Sequence, residues 1–166
     1  FPNSSFLHNI SGAVYKELGH LDTSIESYKK ALAINPDHPE AYYNMGVAFE
    51  DQGKLKEAIE VYKKALALDP YYVQAHFSMG NALKDQCQLE EAIQAYTKAL
   101  TLKPDYTEVL NNMGNVLRDQ GKLEEAIEAY TKVLVLNPEH FDAYNNMGIA
   151  LKEMGKLEEA IEAYNK

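Results

Sequence analysis

Side-chain amides recur at related places along this 166-residue sequence. Asn44, Asn81, Asn111, Asn112, Asn115, Asn145 and Asn146 recur along it, with Tyr43 beside the first and Phe77 close to the second. An asparagine amide presents a donor and an acceptor, the same two groups a peptide bond presents. A row of them can hold an extended peptide by its backbone and largely ignore its side chains. Asparagine is a mediocre helix former, so gathering it on one helical face needs a reason. The competing reason is that these amides are solvated or support neighbouring helices. Tyr43 and Phe77 would add apolar anchors to a bound peptide.

No other chemistry stands out. The histidines His8, His76, His38 and His140 are far apart, and no His-Glu-x-x-His, paired Cys-x-x-Cys or calcium-loop spacing occurs. Carboxylates are abundant, but nothing marks two of them as a pair held in a pocket with separated pKa values, which acid–base catalysis requires. No glycine loop suits a phosphate. Cys87 is the one cysteine, so no internal disulfide can form, and nothing cationic adjoins it to lower its pKa. This cysteine usage suits a reducing compartment and a cytoplasmic location. Asn3-Ser4-Ser5 and Asn9-Ile10-Ser11 match a glycosylation acceptor, a pattern too short to carry weight alone. The expectation is no enzyme: no catalytic residue, no cofactor and no metal.

Composition narrows the partner. Apolar residues make up 46% and charged ones 25%, as in ordinary soluble domains, and no run reaches the roughly 18 apolar residues of a membrane span. The net charge of −9 opposes binding to nucleic acid or to an anionic membrane. A neutral or basic protein partner fits better.

The elements that must carry the amides follow from a period. Pro2, Pro36, Pro70, Pro104 and Pro138 are spaced by 34 residues, as are Gly12, Gly46, Gly80, Gly114 and Gly148, and Tyr28, Tyr62, Tyr96, Tyr130 and Tyr164. Counting from Ser5 gives repeats at 5–38, 39–72, 73–106 and 107–140, a partial repeat at 141–166, and the tail of a preceding repeat at 1–4. The sequence thus reads as one array cut from a longer protein.

Within the second repeat, Tyr42, Met45 and Phe49, then Leu55, Ala58, Ile59, Tyr62, Ala65 and Leu66, recur at three- and four-residue spacings, the stripe of an amphipathic helix written twice. Gly53 between them, like Gly19, Gly121 and Gly155, suits a left-handed helix end, and Pro70 stops the second helix. Each repeat is expected as helix A (about positions 2–14), a turn and helix B (about 18–30), with the last helix at 158–166. Glu60–Lys64, Glu128–Lys132 and Glu162–Lys166 would pair across one turn of helix B, and the small residues at positions 8 and 20 let the two helices approach.

These residues identify the chain as a member of the tetratricopeptide-repeat family by resemblance. Tyr42, Met45, Gly46, Phe49, Ala58, Tyr62 and Pro70 keep every spacing of that motif, and Gly-Lys-Leu-Glu-Glu-Ala-Ile-Glu-Ala-Tyr occurs at both 121–130 and 155–164. His8, His76 and Leu110 replace the aromatic at position 4, Ser24 the small alanine, Ser11 an apolar residue, and Cys87 a glycine. The resemblance implies an all-α, right-handed superhelical solenoid with helix A lining its concave side, where positions 2, 5, 6, 9, 12 and 13 form a groove.

By the same resemblance, Asn44, Asn112 and Asn146 at position 6 match the asparagine ladder of the O-GlcNAc transferase superhelix; Ile10 and Ser78 interrupt it. Position 5 adds Tyr43, Phe77, Asn111 and Asn145, and position 9 adds Asn81 and Asn115. The groove carries nine acids against Lys16, Lys84, Arg118 and Lys152. The Lys and Asn set with which some family members hold an acidic chaperone tail is absent. The resemblance therefore implies a protein-interaction scaffold that binds an extended peptide or partner protein. The alternatives are a substrate-recruiting arm of a glycosyltransferase- or sulfotransferase-type enzyme, and end-to-end self-association.

Overall fold

The computed structural model describes residues 4–166; Phe1, Pro2 and Asn3, read above as the close of a preceding repeat, lie outside them. Among the described residues the chain is all-α. Its helices are α1 (Ser5–Glu17), α2 (Leu21–Ile34), α3 (Pro39–Asp51), α4 (Leu55–Leu68), α5 (Val73–Asp85), α6 (Leu89–Leu102), α7 (Thr107–Asp119), α8 (Leu123–Leu136), α9 (Phe141–Glu153) and α10 (Leu157–Tyr164). Helix A therefore spans positions 1–13 and helix B positions 17–30, each starting one residue earlier than expected, and the last helix ends at Tyr164. One compact unit ends at Cys87 and a second covers Gln88–Lys166. In the first, α1 packs on α2 and α3 on α4, with α2 on α3 and α4 on α5. In the second, α7 packs on α8 and α9 on α10, with α6 on α7 and α8 on α9.

Local chemistry sets the boundaries. Helix A gives way to helix B through a left-handed residue: Gly19, Gly53, Gly121 and Gly155 have φ of 70–79°. Cys87 adopts the same conformation at φ 58° without a glycine's freedom, a strain of roughly 1–2 kcal/mol. Helix B ends in an extended residue, Asn35, Asp69, Lys103 or Asn137, because the proline that follows disfavours helix there. Three of these side chains stabilise the turn. Asn35, Asp69 and Asn137 each accept from the backbone N–H two residues on, at 3.3, 3.0 and 3.2 Å.

The A–B pairs within each unit are built round one contact. Tyr28, Tyr62 and Tyr130 are fully buried, and their rings lie against the Cα of Gly12, Gly46 and Gly114; Tyr164 lies on Gly148 in the same way. A methyl group at Gly114 would sit 2.5–2.9 Å from three ring carbons of Tyr130. The position-20 residues Ala58, Ala92 and Ala126 are fully buried. Ser24, which departs from alanine there, donates its hydroxyl to the Gly12 carbonyl at 2.7 Å, so burying it leaves no polar group unsatisfied. Leu110, in place of an aromatic, is buried with Val133 and Ala143.

The expected ion pairs on helix B take a different register. Glu60 meets Lys63 at 3.7 Å, one residue closer than anticipated, and Glu26 pairs with Lys29 at 2.8 Å in the same register. Lys64 instead lies over the Tyr42 ring at 5.9 Å. Glu128–Lys132 and Glu162–Lys166 do not pair. These side chains are exposed and solvated, so the choice between registers changes stability little.

Replacing Gly114 with alanine pushes the Tyr130 ring off its helix and should lower stability by about 1–3 kcal/mol in thermal or urea unfolding. An unchanged melting curve would mean that α7 and α8 do not approach through this glycine.

Candidate functional site

The A helices of neighbouring repeats touch within each unit, α1 with α3, α3 with α5, and α7 with α9. Their positions 5 and 6 are joined by amide–amide bonds across the repeat boundary. Asn44 donates its Nδ2 to Asn9 Oδ1 at 3.2 Å, and Asn146 donates to Asn111 in the same way, also at 3.2 Å. Asn9 is only 5% exposed. Part of the amide array is thus structural. It holds one A helix to the next, as the competing explanation for these residues required. Each donor amide still keeps its Oδ1 and a second N–H. Asn145 is exposed.

Position 9 is used similarly in the second unit, where Asn115 Oδ1 accepts the Tyr130 hydroxyl at 2.9 Å. That bond satisfies the polar end of a ring pressed into the core. Burial, opposed in part by Arg118, pushes the Tyr130 hydroxyl up to about 12. Asn81 and Asn112 are partly buried and also hold interactions of their own.

The expected apolar anchors fare differently. Tyr43 is half-buried, its ring tilted against Tyr72 at 4.9 Å and Tyr62 at 5.8 Å. Burial pushes the Tyr72 hydroxyl up to about 12. Phe77 is 9% exposed, so it has almost no surface left to lose to a ligand. This corrects the expectation that Phe77 lies open in a groove: its position carries a core ring in the third repeat.

At position 12 the second repeat departs from the others. Lys16, Lys84, Arg118 and Lys152 occupy it elsewhere, but here it is Glu50. The Tyr62 hydroxyl donates to the Glu50 carboxylate and has Ser78 as a second hydrogen-bonding partner. Burial raises the Glu50 pKa; the Tyr62 bond opposes this, while Asp51 and Asp85 raise it further. The Tyr62 hydroxyl is itself pushed up strongly, by burial first and then by the Glu50 charge. Three of the four cations at position 12 are engaged with the acids of position 13: Lys84 with Asp85 at 3.3 Å, Arg118 with Asp119 at 3.2 Å, and Lys16 with Glu17 at 3.5 Å and Asp51 at 3.7 Å.

The histidines serve the local frame. His140 Nδ1 accepts from the Ala143 backbone N–H at 3.2 Å and caps α9. His76 Nε2 lies 3.0 Å from the Pro70 carbonyl, and His38 Nδ1 lies 3.3 Å from the Ser5 hydroxyl. Among the described residues no three His, Cys, Asp or Glu side chains gather as metal ligands would, and no helix is long and apolar enough to cross a membrane.

The TPR repeat model matches residues 12–53, 51–87, 80–117 and 114–155. The chain belongs to the tetratricopeptide-repeat family. Among solved structures it is similar to MamA, with 28% identity over 99% of this chain and 90% of that one, at a TM-score of 0.94. It is similar to pilF of Pseudomonas aeruginosa, with 28% identity over 97% of this chain and 73% of that one, at a TM-score of 0.83. YrrB, a TPR protein with an unusual peptide-binding site, has the same fold at 24% identity over 98% of this chain and 84% of that one, with a TM-score of 0.86. No curated protein sequence matches the chain.

For a tetratricopeptide-repeat chain, the residues that sequence reasoning underrated are those that break the period. Glu50 was counted as one groove acid among nine, although the basic residues at position 12 of the other four repeats already set it apart. Its raised pKa has a definite sign. Below the unfolded carboxyl value of about 4.5, Glu50 is protonated in both states and costs nothing. As the pH rises through its higher folded value, folding must hold a desolvated carboxylate and that share of stability is lost. Glu50→Gln keeps an acceptor for Tyr62 and carries no charge. It should melt higher than the parent at pH 7, with the gap closing by pH 4; a gap independent of pH would show that Glu50 is not held desolvated.

Proposed function

We propose that this chain is a protein-interaction scaffold whose A-helix face binds an extended peptide segment of a partner protein, reading its backbone through side-chain amides. The observation that carries this reading is the row of amides at positions 5 and 6, with Asn44 and Asn146 each retaining an acceptor and a donor after tying neighbouring repeats together. Asn145 adds an exposed amide in the last repeat. Tyr43 contributes a half-buried ring at the edge of the first amide pair. Charge favours a neutral or basic peptide, since Lys16, Lys84 and Arg118 are already engaged with neighbouring acids.

The test is a random-peptide display selection on the parent chain, with the enriched peptides then titrated against variants. Asn112→Ala with Asn146→Ala should weaken the selected peptides several-fold. Asn145→Ala should weaken them while leaving the melting curve unchanged, because that amide supports no neighbour. Peptides indifferent to all three changes would place recognition elsewhere on the molecule.

Association between copies is a second reading. Ile161 and Tyr164 of α10 are exposed, whereas the equivalent Ile25, Tyr28, Ile59 and Tyr62 are buried. A groove of about 290 Å³ lies beside them, lined by Ile127, Met147, Leu151 and Ala163. This reading expects the sedimentation coefficient to rise with concentration and Ile161→Lys to abolish that rise. A monomer at all concentrations would remove it.

A further inference from the structure

Two side chains at the first A helix break the pattern that makes this face polar. Position 2 reads Glu40, Gln74, Glu108 and Asp142 in the later repeats, all exposed, and position 6 reads Asn44, Ser78, Asn112 and Asn146. In α1 the same positions are Phe6 and Ile10, exposed by 65% and 43%. They stand four residues apart and so share one face, a turn from one another. Their neighbours Leu7 and Val14 are exposed too, but at positions 3 and 10. In every later repeat those positions are fully buried, on A helices that each pack against the B helix before them: Ala41, Ala75, Val109 and Ala143, then Ala48, Ala82, Val116 and Ala150. Positions 2 and 6 escape that burial in all four later repeats. Phe6 and Ile10 therefore belong to the face proposed for peptide binding, and a helix packed before α1 would leave them uncovered.

The surroundings define what would cover them. Ile10 follows Asn9, whose amide is bonded to Asn44, so the apolar patch borders the first amide pair. Glu40, one turn before Asn44 on α3, has a side chain 63% exposed; His38 lies 3.9 Å from it, and its charge also reaches the Tyr28 and Tyr72 hydroxyls. The first turns of α1 carry no lysine or arginine, and Lys16 at its far end is engaged with Glu17 and Asp51. An apolar patch beside an uncompensated carboxylate matches a ligand with one large apolar and one basic side chain. Packed helices lie roughly 8–10 Å apart. A polyproline-II-like chain advances about 9 Å in three residues and brings side chains i and i+3 to the same side.

We infer that the Phe6–Ile10 patch and Glu40 form a selective subsite for an extended peptide bearing a large apolar side chain three residues from a lysine or arginine. The inference rests on the groove reading above and adds side-chain selectivity to a face otherwise suited to backbone. The Asn9–Asn44 amides beside it would hold the ligand's backbone, and this subsite would set its register.

The test is the same display selection run in parallel on the parent and on Phe6→Gln with Ile10→Asn, which gives α1 the residue types of the later repeats. The parent should enrich peptides with a large apolar residue and a basic residue in that spacing. The best of them, synthesised and titrated by fluorescence anisotropy, should bind the double variant about tenfold or more weakly. Phe6→Leu with Ile10→Val should restore most of that affinity, and Glu40→Gln should flatten its salt dependence. Both altered side chains are exposed, so the variants should melt with the parent. Selected peptides that bind the double variant as tightly as the parent, yet are weakened by Asn44→Ala, would overturn the subsite and leave the groove reading standing. Peptides insensitive to every one of these changes, or no enrichment at all, would overturn both.

Discussion

Everything in this fold depends on the absence of one methyl group per repeat. Gly12, Gly46, Gly114 and Gly148 let a tyrosine ring from helix B rest on the helix A backbone, where a Cβ would overlap it. That contact sets how closely the two helices of a repeat approach, and the Tyr28, Tyr62 and Tyr130 rings are buried by it. The tyrosine hydroxyl is then delivered to the same side as positions 9 and 12 of helix A. There it must find a partner, because an unsatisfied buried hydroxyl costs more than the bond returns. Asn115 and Glu50 are two such partners, so part of the polar chemistry on the A-helix face is dictated by the packing beneath it.

The same economy governs the asparagines. Joining Asn9 to Asn44 and Asn111 to Asn146 spends one donor and one acceptor per pair on holding neighbouring A helices together. The two explanations weighed for these residues are therefore not exclusive. A structural bond fixes the rotamer of each amide, and a fixed amide loses less entropy when a ligand's backbone uses what remains. An amide that supports its neighbour is also better prepared to bind.

What was legible in the sequence was what repeats. Helix order, the left-handed turn, the proline-terminated loop and the ring-on-glycine contact could all be read from the 34-residue period, because each recurrence restates the same steric demand. Single departures were less legible. Ser24 looked like an irregularity until its hydroxyl was found on the Gly12 carbonyl. Phe77 looked like an anchor because position 5 lines the groove in the family the chain resembles, yet it is buried. Position in the motif identifies a face; it does not tell how deeply one large ring sinks between neighbouring helices. The amide pairs were missed for a similar reason, since the bond joins position 5 of one repeat to position 6 of the next and appears in no single repeat.

Repetition and departure carry different information in such a chain. Repeats contribute to stability nearly as a sum of their own folding and their nearest-neighbour contacts. A change at a position that packs in every copy, such as the glycine under the ring, is felt by the fold at once. A change at position 2, or at position 6 where no amide pair is formed, as at Ile10, is nearly invisible to stability. Those positions are where a repeat can differ from its neighbours without structural penalty, and where a difference alters what the face recognises. Phe6 and Ile10 are departures of this kind: they bury little, hold nothing together and lie where the other repeats present acids and amides. Exposed apolar surface carries a solubility cost that a polar residue would avoid. Their presence at two neighbouring positions of one face is best accounted for by a ligand that covers both.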